Sequence, residues 1–80
     1  MHEISLMHSI LSIIEKSARE NRMETVSKIK LVLGTESLVM AGALHFAFEQ
    51  LKQKTLAQEA VLETEEREGR DFFIDYFEGE

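Results

Sequence analysis

Eighty residues make one domain, residues 1–80, with a small core and a thin stability margin. Apolar residues at 44% and charged residues at 30% argue against disorder, and a net charge of −6 argues against nucleic acid or an anionic membrane surface as partner while suiting cations or basic protein surfaces. With no cysteine there is no disulfide, thiolate site or thiol nucleophile, which fits a reducing compartment; no stretch can span a bilayer, no signal peptide opens the chain, and the expected location is cytoplasmic.

From Glu3 to about Glu20, Ile4, Met7, Leu11, Ile14 and Ala18 recur at helical spacing, with Leu6, Ile10 and Ile13 beside them. Glu15, Lys16, Arg19 and Glu20 lie off that stripe, and Asn21 suits a helix C-terminus. Over Thr25 to Leu33 the period changes to two: Ile29, Leu31 and Leu33 alternate with Lys28, Lys30 and Val32, which predicts a strand ended by Gly34. Ser37 is placed to cap a second helix, marked by Leu44, Ala47, Phe48 and Leu51 and running to about Lys54. Ala60, Leu62 and Thr64 alternate with Val61, Glu63 and Glu65 as a second strand. Arg67-Glu68-Gly69-Arg70 reads as a tight turn with Gly69 at positive φ, and Asp71 to Phe77 as a third, aromatic strand.

The expected fold is α+β, in the order helix, strand, helix, strand, strand. The first two strands are parallel through a right-handed crossover, the last two form an antiparallel hairpin, and both helices cover one face of a small three-stranded mixed sheet. The third strand carries Phe72, Phe73, Tyr76 and Phe77 and is apolar on both faces, more than such a sheet needs. This surplus points to a partner surface, a homodimer or a strand exchange, or else to Phe73 or Phe77 folding over an edge.

The chemistry concentrates at Met1-His2-Glu3. A bulky second residue blocks removal of the initiator methionine, so Met1 is expected to keep a free amine. That amine and the His2 amide nitrogen close a five-membered ring on a metal; the same amide and the His2 imidazole Nδ1 close a six-membered one. Three nitrogens then share a plane without any folding. The Glu3 amide can supply a fourth, or the Glu3 carboxylate can cap the site. Deprotonated amides favour Ni(II) or Cu(II), which prefer square-planar nitrogen sets, and their binding releases protons. The plain alternative is a solvated terminal histidine. His8 and His45 read as helix-face residues.

No Ser–His–Asp order, no His-Glu-x-x-His and no glycine-rich phosphate loop is present, and the acidic run Glu63, Glu65, Glu66 and Glu68 reads as a solvated strand face, so no catalysis is expected.

Across nearly its whole length the chain resembles the nickel-binding domain of the HypA/HybF family of hydrogenase and urease nickel-insertion proteins. The residues that carry the resemblance are Met1-His2-Glu3-Ile4-Ser5-Leu6, the strand into Gly34, Ala43-Leu44-His45-Phe46-Ala47-Phe48-Glu49, Thr55-Leu56-Ala57 with Ala60-Val61-Leu62-Glu63, and Phe77-Glu78. The resemblance implies a metallochaperone with no catalysis of its own, holding Ni(II) at Met1, His2 and Glu3. It implies delivery, with a HypB-like GTPase, to a hydrogenase large subunit. Two departures stand out. The family's zinc module, two Cys-x-x-Cys pairs between the last two strands, is replaced by Arg67–Arg70, so no zinc is expected. Met40 stands where many relatives place an acidic residue near the metal, with Glu36 close by in sequence. This leaves open a weaker site, a smaller ligand set or a vestigial one. The alternative function is an interaction module that keeps the fold without the metal role.

Overall fold

The computed structural model describes residues 2–80. Its elements are α1 (His2–Glu20), β1 (Val26–Gly34), α2 (Ala41–Leu51), β2 (Val61–Arg67) and β3 (Phe72–Gly79). The class and element order are those expected from the sequence.

Helix α1 buries Met7, Ile10, Leu11, Ile14 and Ala18, the stripe its spacing predicts. It stops in a Schellman motif: Met23 N–H donates to the Ala18 carbonyl at 2.9 Å and Arg22 N–H to the Arg19 carbonyl at 3.0 Å. Asn21 is the last half-helical residue, and Arg22 takes the left-handed conformation at φ 61°.

Helix α2 is shorter than its apolar spacing suggests, ending at Leu51 rather than near Lys54. Lys54 turns left-handed at φ 65°. The following turn is then captured from two sides: Leu56 N–H donates to Glu15 Oε2 of α1 at 3.1 Å, and the Leu56 carbonyl accepts Val26 N–H at 2.9 Å. The start of α2 also differs from expectation. Its N-cap is Met40, which offers no side-chain bond, while the Ser37 hydroxyl donates instead to the Gly34 carbonyl at 2.7 Å.

The sheet order is β2-β1-β3. Strands β1 and β2 are parallel, as expected. The expected hairpin between β2 and β3 is not formed; β3 instead pairs antiparallel with β1, on the side away from β2. Burial explains the choice. Strand β1 buries Ile29, Leu31 and Leu33 toward the helices and Val32 on the opposite face, so it belongs in the centre. Strand β2 carries Glu63, Glu65 and Glu66 and suits an edge.

The segment between β2 and β3 is therefore an arch over the end of β1. Gly34 N–H donates to the Asp71 carbonyl at 2.5 Å, Thr35 N–H to Arg67 at 2.8 Å and Glu36 N–H to Gly69 at 2.7 Å. Gly69 has the expected positive φ, 118°. A β-carbon on Gly34 would meet backbone of Gly69 and Asp71, so the arch requires a glycine beneath it.

The aromatic strand splits its side chains between two faces. Phe72, Ile74 and Phe77 pack against the core under the helices. A register shift between Lys30 and Leu31 leaves Asp75 as the bulged residue, and Tyr76 returns to the outer face with Phe73. There Arg67 lies 5.9 Å from the Phe73 ring, and Lys28 and Lys30 lie 5.6 and 5.8 Å from the Tyr76 ring. Each ring thus has a use within the chain.

Candidate metal centre

His2 opens α1 and is exposed; Glu3 follows in the first turn and is half-buried. The first amides of a helix have no carbonyl four residues back to accept from them, so the His2 and Glu3 nitrogens have no backbone carbonyl partner in the helix. Helical ψ, about −42°, also sets consecutive backbone nitrogens on the same side of the chain, whereas extended ψ throws them apart. A first helical turn is therefore close to the arrangement a backbone-nitrogen chelate needs. Met1, the third residue of the expected site, lies outside the described residues.

The Glu3 side chain reaches another element. Met40 N–H, at the start of α2, donates to Glu3 Oε2 at 3.3 Å. This bond, and then Glu3's own backbone N–H, hold the carboxyl below its ordinary value against a smaller opposing effect of desolvation. Met40 thus meets the site through its backbone, and the residue is 68% exposed. Beside it Leu38 is 84% exposed and left-handed at φ 66°, an uncommon backbone for a leucine. Glu36 faces Arg70, with 3.9 Å between the charged atoms.

The other histidines do not join His2. His8 is exposed on α1, and His45 Nε2 lies 3.2 Å from the Thr64 hydroxyl, between α2 and β2. Among the described residues no three side chains of His, Asp or Glu are gathered to hold a metal. The candidate centre is a local one, made by covalently adjacent groups.

The acidic run on β2 is structural where it is paired. Glu63 lies 3.4 Å from Lys28; Glu65 lies 3.1 Å from Lys30 and 2.7 Å from Arg67. Arg67, and then Lys30, hold the Glu65 carboxyl below its ordinary value, the opposite of a general acid. A shallow surface crease against α1, lined by Leu11, Ile14, Val26, Leu56 and Ala57, has Glu15 as its one charged side chain, and that group is bonded to Leu56.

Sequence reasoning missed the bond between Glu3 and Met40. It joins groups 37 positions apart through a backbone donor, and no side-chain pattern records it.

Residues 1–71 match the family described as "Hydrogenase/urease nickel incorporation, metallochaperone, hypA". The chain belongs to the HypA family. It is 30% identical to hydrogenase maturation factor HypA of Moorella thermoacetica over 113 aligned positions, which cover 100% of both chains. That relative therefore has internal positions with no counterpart here. The HypA of Rhizobium leguminosarum is 36% identical over 94% of this chain and 66% of its own length; for that of Aquifex aeolicus the figures are 40%, 78% and 54%. This chain thus spans between half and two thirds of those two relatives. The solution structure of the nickel metallochaperone HypA from Helicobacter pylori shares the fold, with a TM-score of 0.76 at 18% identity over 92% of this chain and 70% of that one. The family is one of metallochaperones, which carry metal and catalyse no reaction of their own. Without cysteine, this HypA-family chain has none of the Cys-x-x-Cys pairs that the resemblance leads one to expect.

Proposed function

We propose that this HypA-family domain binds one Ni(II) as cargo at Met1-His2-Glu3 and passes it to a partner in hydrogenase or urease maturation. The observation that carries the reading is the position of His2-Glu3 in the first turn of α1, where the amide nitrogens have no backbone carbonyl in the helix to donate to. Amine, His2 amide and His2 imidazole Nδ1 make a three-nitrogen plane of two fused chelate rings, and Glu3 borders the fourth position. Ligands at a terminus can leave one at a time, which suits transfer by ligand exchange. A HypB-like GTPase and a hydrogenase large subunit are the partners we infer, and the cytoplasm the compartment.

The test is a Ni(II) titration of tag-free protein beside His2→Ala, by calorimetry and absorbance at neutral pH. One equivalent bound by the wild type and lost in the variant is expected, with protons released on binding and affinity falling as pH falls. Equal binding by both proteins, or none by either, refutes the site.

A second reading has its own support. Leu38, on a left-handed backbone, and Met40 expose apolar side chains beside the site, as a protein-docking loop does. On that reading His2→Ala changes nothing, while Leu38→Ser weakens partner binding.

A further inference from the structure

The bond between Glu3 and Met40 assigns the Glu3 side chain a task distinct from ligation. Met40 is the N-cap of α2, with φ −95° and ψ 119°, and its thioether makes no capping bond. The first turn of α2 holds no acidic residue either. The acceptor comes from α1, as Glu3 Oε2. Glu15 does the equivalent at the far end of α2, accepting Leu56 N–H. The two helices therefore lie side by side with the same polarity, and α1 supplies a glutamate to the backbone flanking each end of α2.

Of these two ties, the first holds the candidate metal site. The first fully buried side chain of α1 is Met7; before it, His2, Ile4 and Ser5 are exposed. Leu6 packs against the core only in part. The Glu3 bond is the polar tie that fixes the opening turn on the rest of the domain. On the proposed reading, Met1 and His2 nitrogens fill three positions around nickel, and the Glu3 carboxylate is engaged by Met40 N–H rather than turned to the fourth.

We propose that Glu3 is a positioning residue: its side chain latches the chelating turn to Met40 at the start of α2, and does not ligate the cargo metal. This rests on the nickel-binding reading above. The latch presents the loaded turn beside Leu38 and Met40 and pre-organises it for binding.

The test uses the tag-free full chain as wild type, Glu3→Gln, Glu3→Ala and Met40→Pro, all of which keep the backbone nitrogen of residue 3. Three quantities are read: Ni(II) affinity by calorimetry, the ligand-field absorption band, and hydrogen exchange of the Met40 amide in the metal-free protein. Glutamine keeps a carbonyl oxygen that accepts Met40 N–H but is a poor nickel ligand. Glu3→Gln is therefore expected to match the wild type in affinity and band position. Glu3→Ala is expected to bind nickel about threefold more weakly, for the loss of one exposed hydrogen bond. Its band should be unchanged and its Met40 amide should exchange faster. Met40→Pro removes the donor at a φ that proline nearly adopts. It should weaken binding as Glu3→Ala does, and the double variant should be no weaker.

A shifted band in Glu3→Gln, or an affinity loss in it equal to that of Glu3→Ala, would show a carboxylate ligand and overturn the proposal. So would a Glu3→Ala protein identical to wild type in both affinity and Met40 exchange. Absence of nickel binding by the wild type would refute the proposed function, and with it the latch's nickel role; the Glu3→Ala comparison with nickel bound refutes the latch alone.

Discussion

Replacing Gly34 by alanine tests the sheet order directly. The arch from Arg67 to Asp71 passes over this residue, and an added β-carbon would lie 2.8 Å from both the nitrogen and the oxygen of Asp71 and closer still to the Gly69 carbonyl. These are backbone atoms of a segment tied down on both sides, so they cannot swing away as a side-chain tip would. Relief requires lifting the arch, which breaks or lengthens the bonds from Gly34, Thr35 and Glu36 to Asp71, Arg67 and Gly69. At about 0.5–1.5 kcal/mol for each bond, the loss is about 2–4 kcal/mol. A domain of this size has a stability of about 4–12 kcal/mol, so Gly34→Ala removes a large share of it and lowers Tm by roughly 10–25 °C. Gly42→Ala is the control: nothing lies within 4 Å of its β-carbon position, it is helical, and it should be neutral or stabilising by up to about 1 kcal/mol. Urea denaturation followed by circular dichroism gives both values, with an unchanged m-value showing that only stability has moved. If Gly34→Ala stays within 0.5 kcal/mol of the wild type, roughly the noise of such a comparison, nothing crosses β1 at that point and the β2-β1-β3 order is wrong.

The faces of β3 predict unequal effects for two phenylalanines on either side of the bulged Asp75. Phe77→Ser should destabilise by about 2–4 kcal/mol because Phe77 packs on the core, and Phe73→Ser, on the outer face, by less than about 1.5 kcal/mol; equal losses in urea melts would contradict the alternation around Asp75. The Glu3 carboxyl sits below its ordinary value of 4.5, so its stabilising effect is present at neutral pH and lost as pH falls through that value and below. Glu3→Gln should therefore show a shallower fall in stability below about pH 4.5 than the wild type, and parallel acid titrations would speak against the bond to Met40.

Much of the fold is legible in the sequence because the signals are periodic. The stripe from Met7 to Ala18 and the alternation through Ile29, Leu31 and Leu33 are set by where water is excluded, and both elements lie where those patterns place them. The pairing of β3 is not periodic information. Arg67–Arg70 has the composition of a hairpin turn, and Gly69 does take positive φ, yet the same residues can fold back on β2 or arch over β1. The choice depends on which strand is buried on both faces, and the residue that reveals it is Val32, an apolar side chain in a row otherwise occupied by Lys28 and Lys30. The C-terminal limit of α2 escaped for a similar reason: the segment after it turns at Lys54 and is held at Leu56 by Glu15, in another helix.

The candidate site follows a different logic from the core. Its proposed donors are covalent neighbours, so the ligand set can be written down from Met1-His2-Glu3 before any fold is known, and no separate cluster of three His, Asp or Glu side chains is found among the described residues. What the fold adds is presentation. Glu3 fastens the first turn of α1 to Met40, beside the exposed Leu38. Binding strength and stability are then nearly separate properties. Removing the His2 imidazole should leave the metal-free domain as stable as before, since an exposed first-turn side chain supports no packing. Lifting the arch with Gly34→Ala should lower Tm while leaving the chelate rings intact. A carrier gains from that separation: cargo can be released at the terminus without loosening the domain that the partner holds.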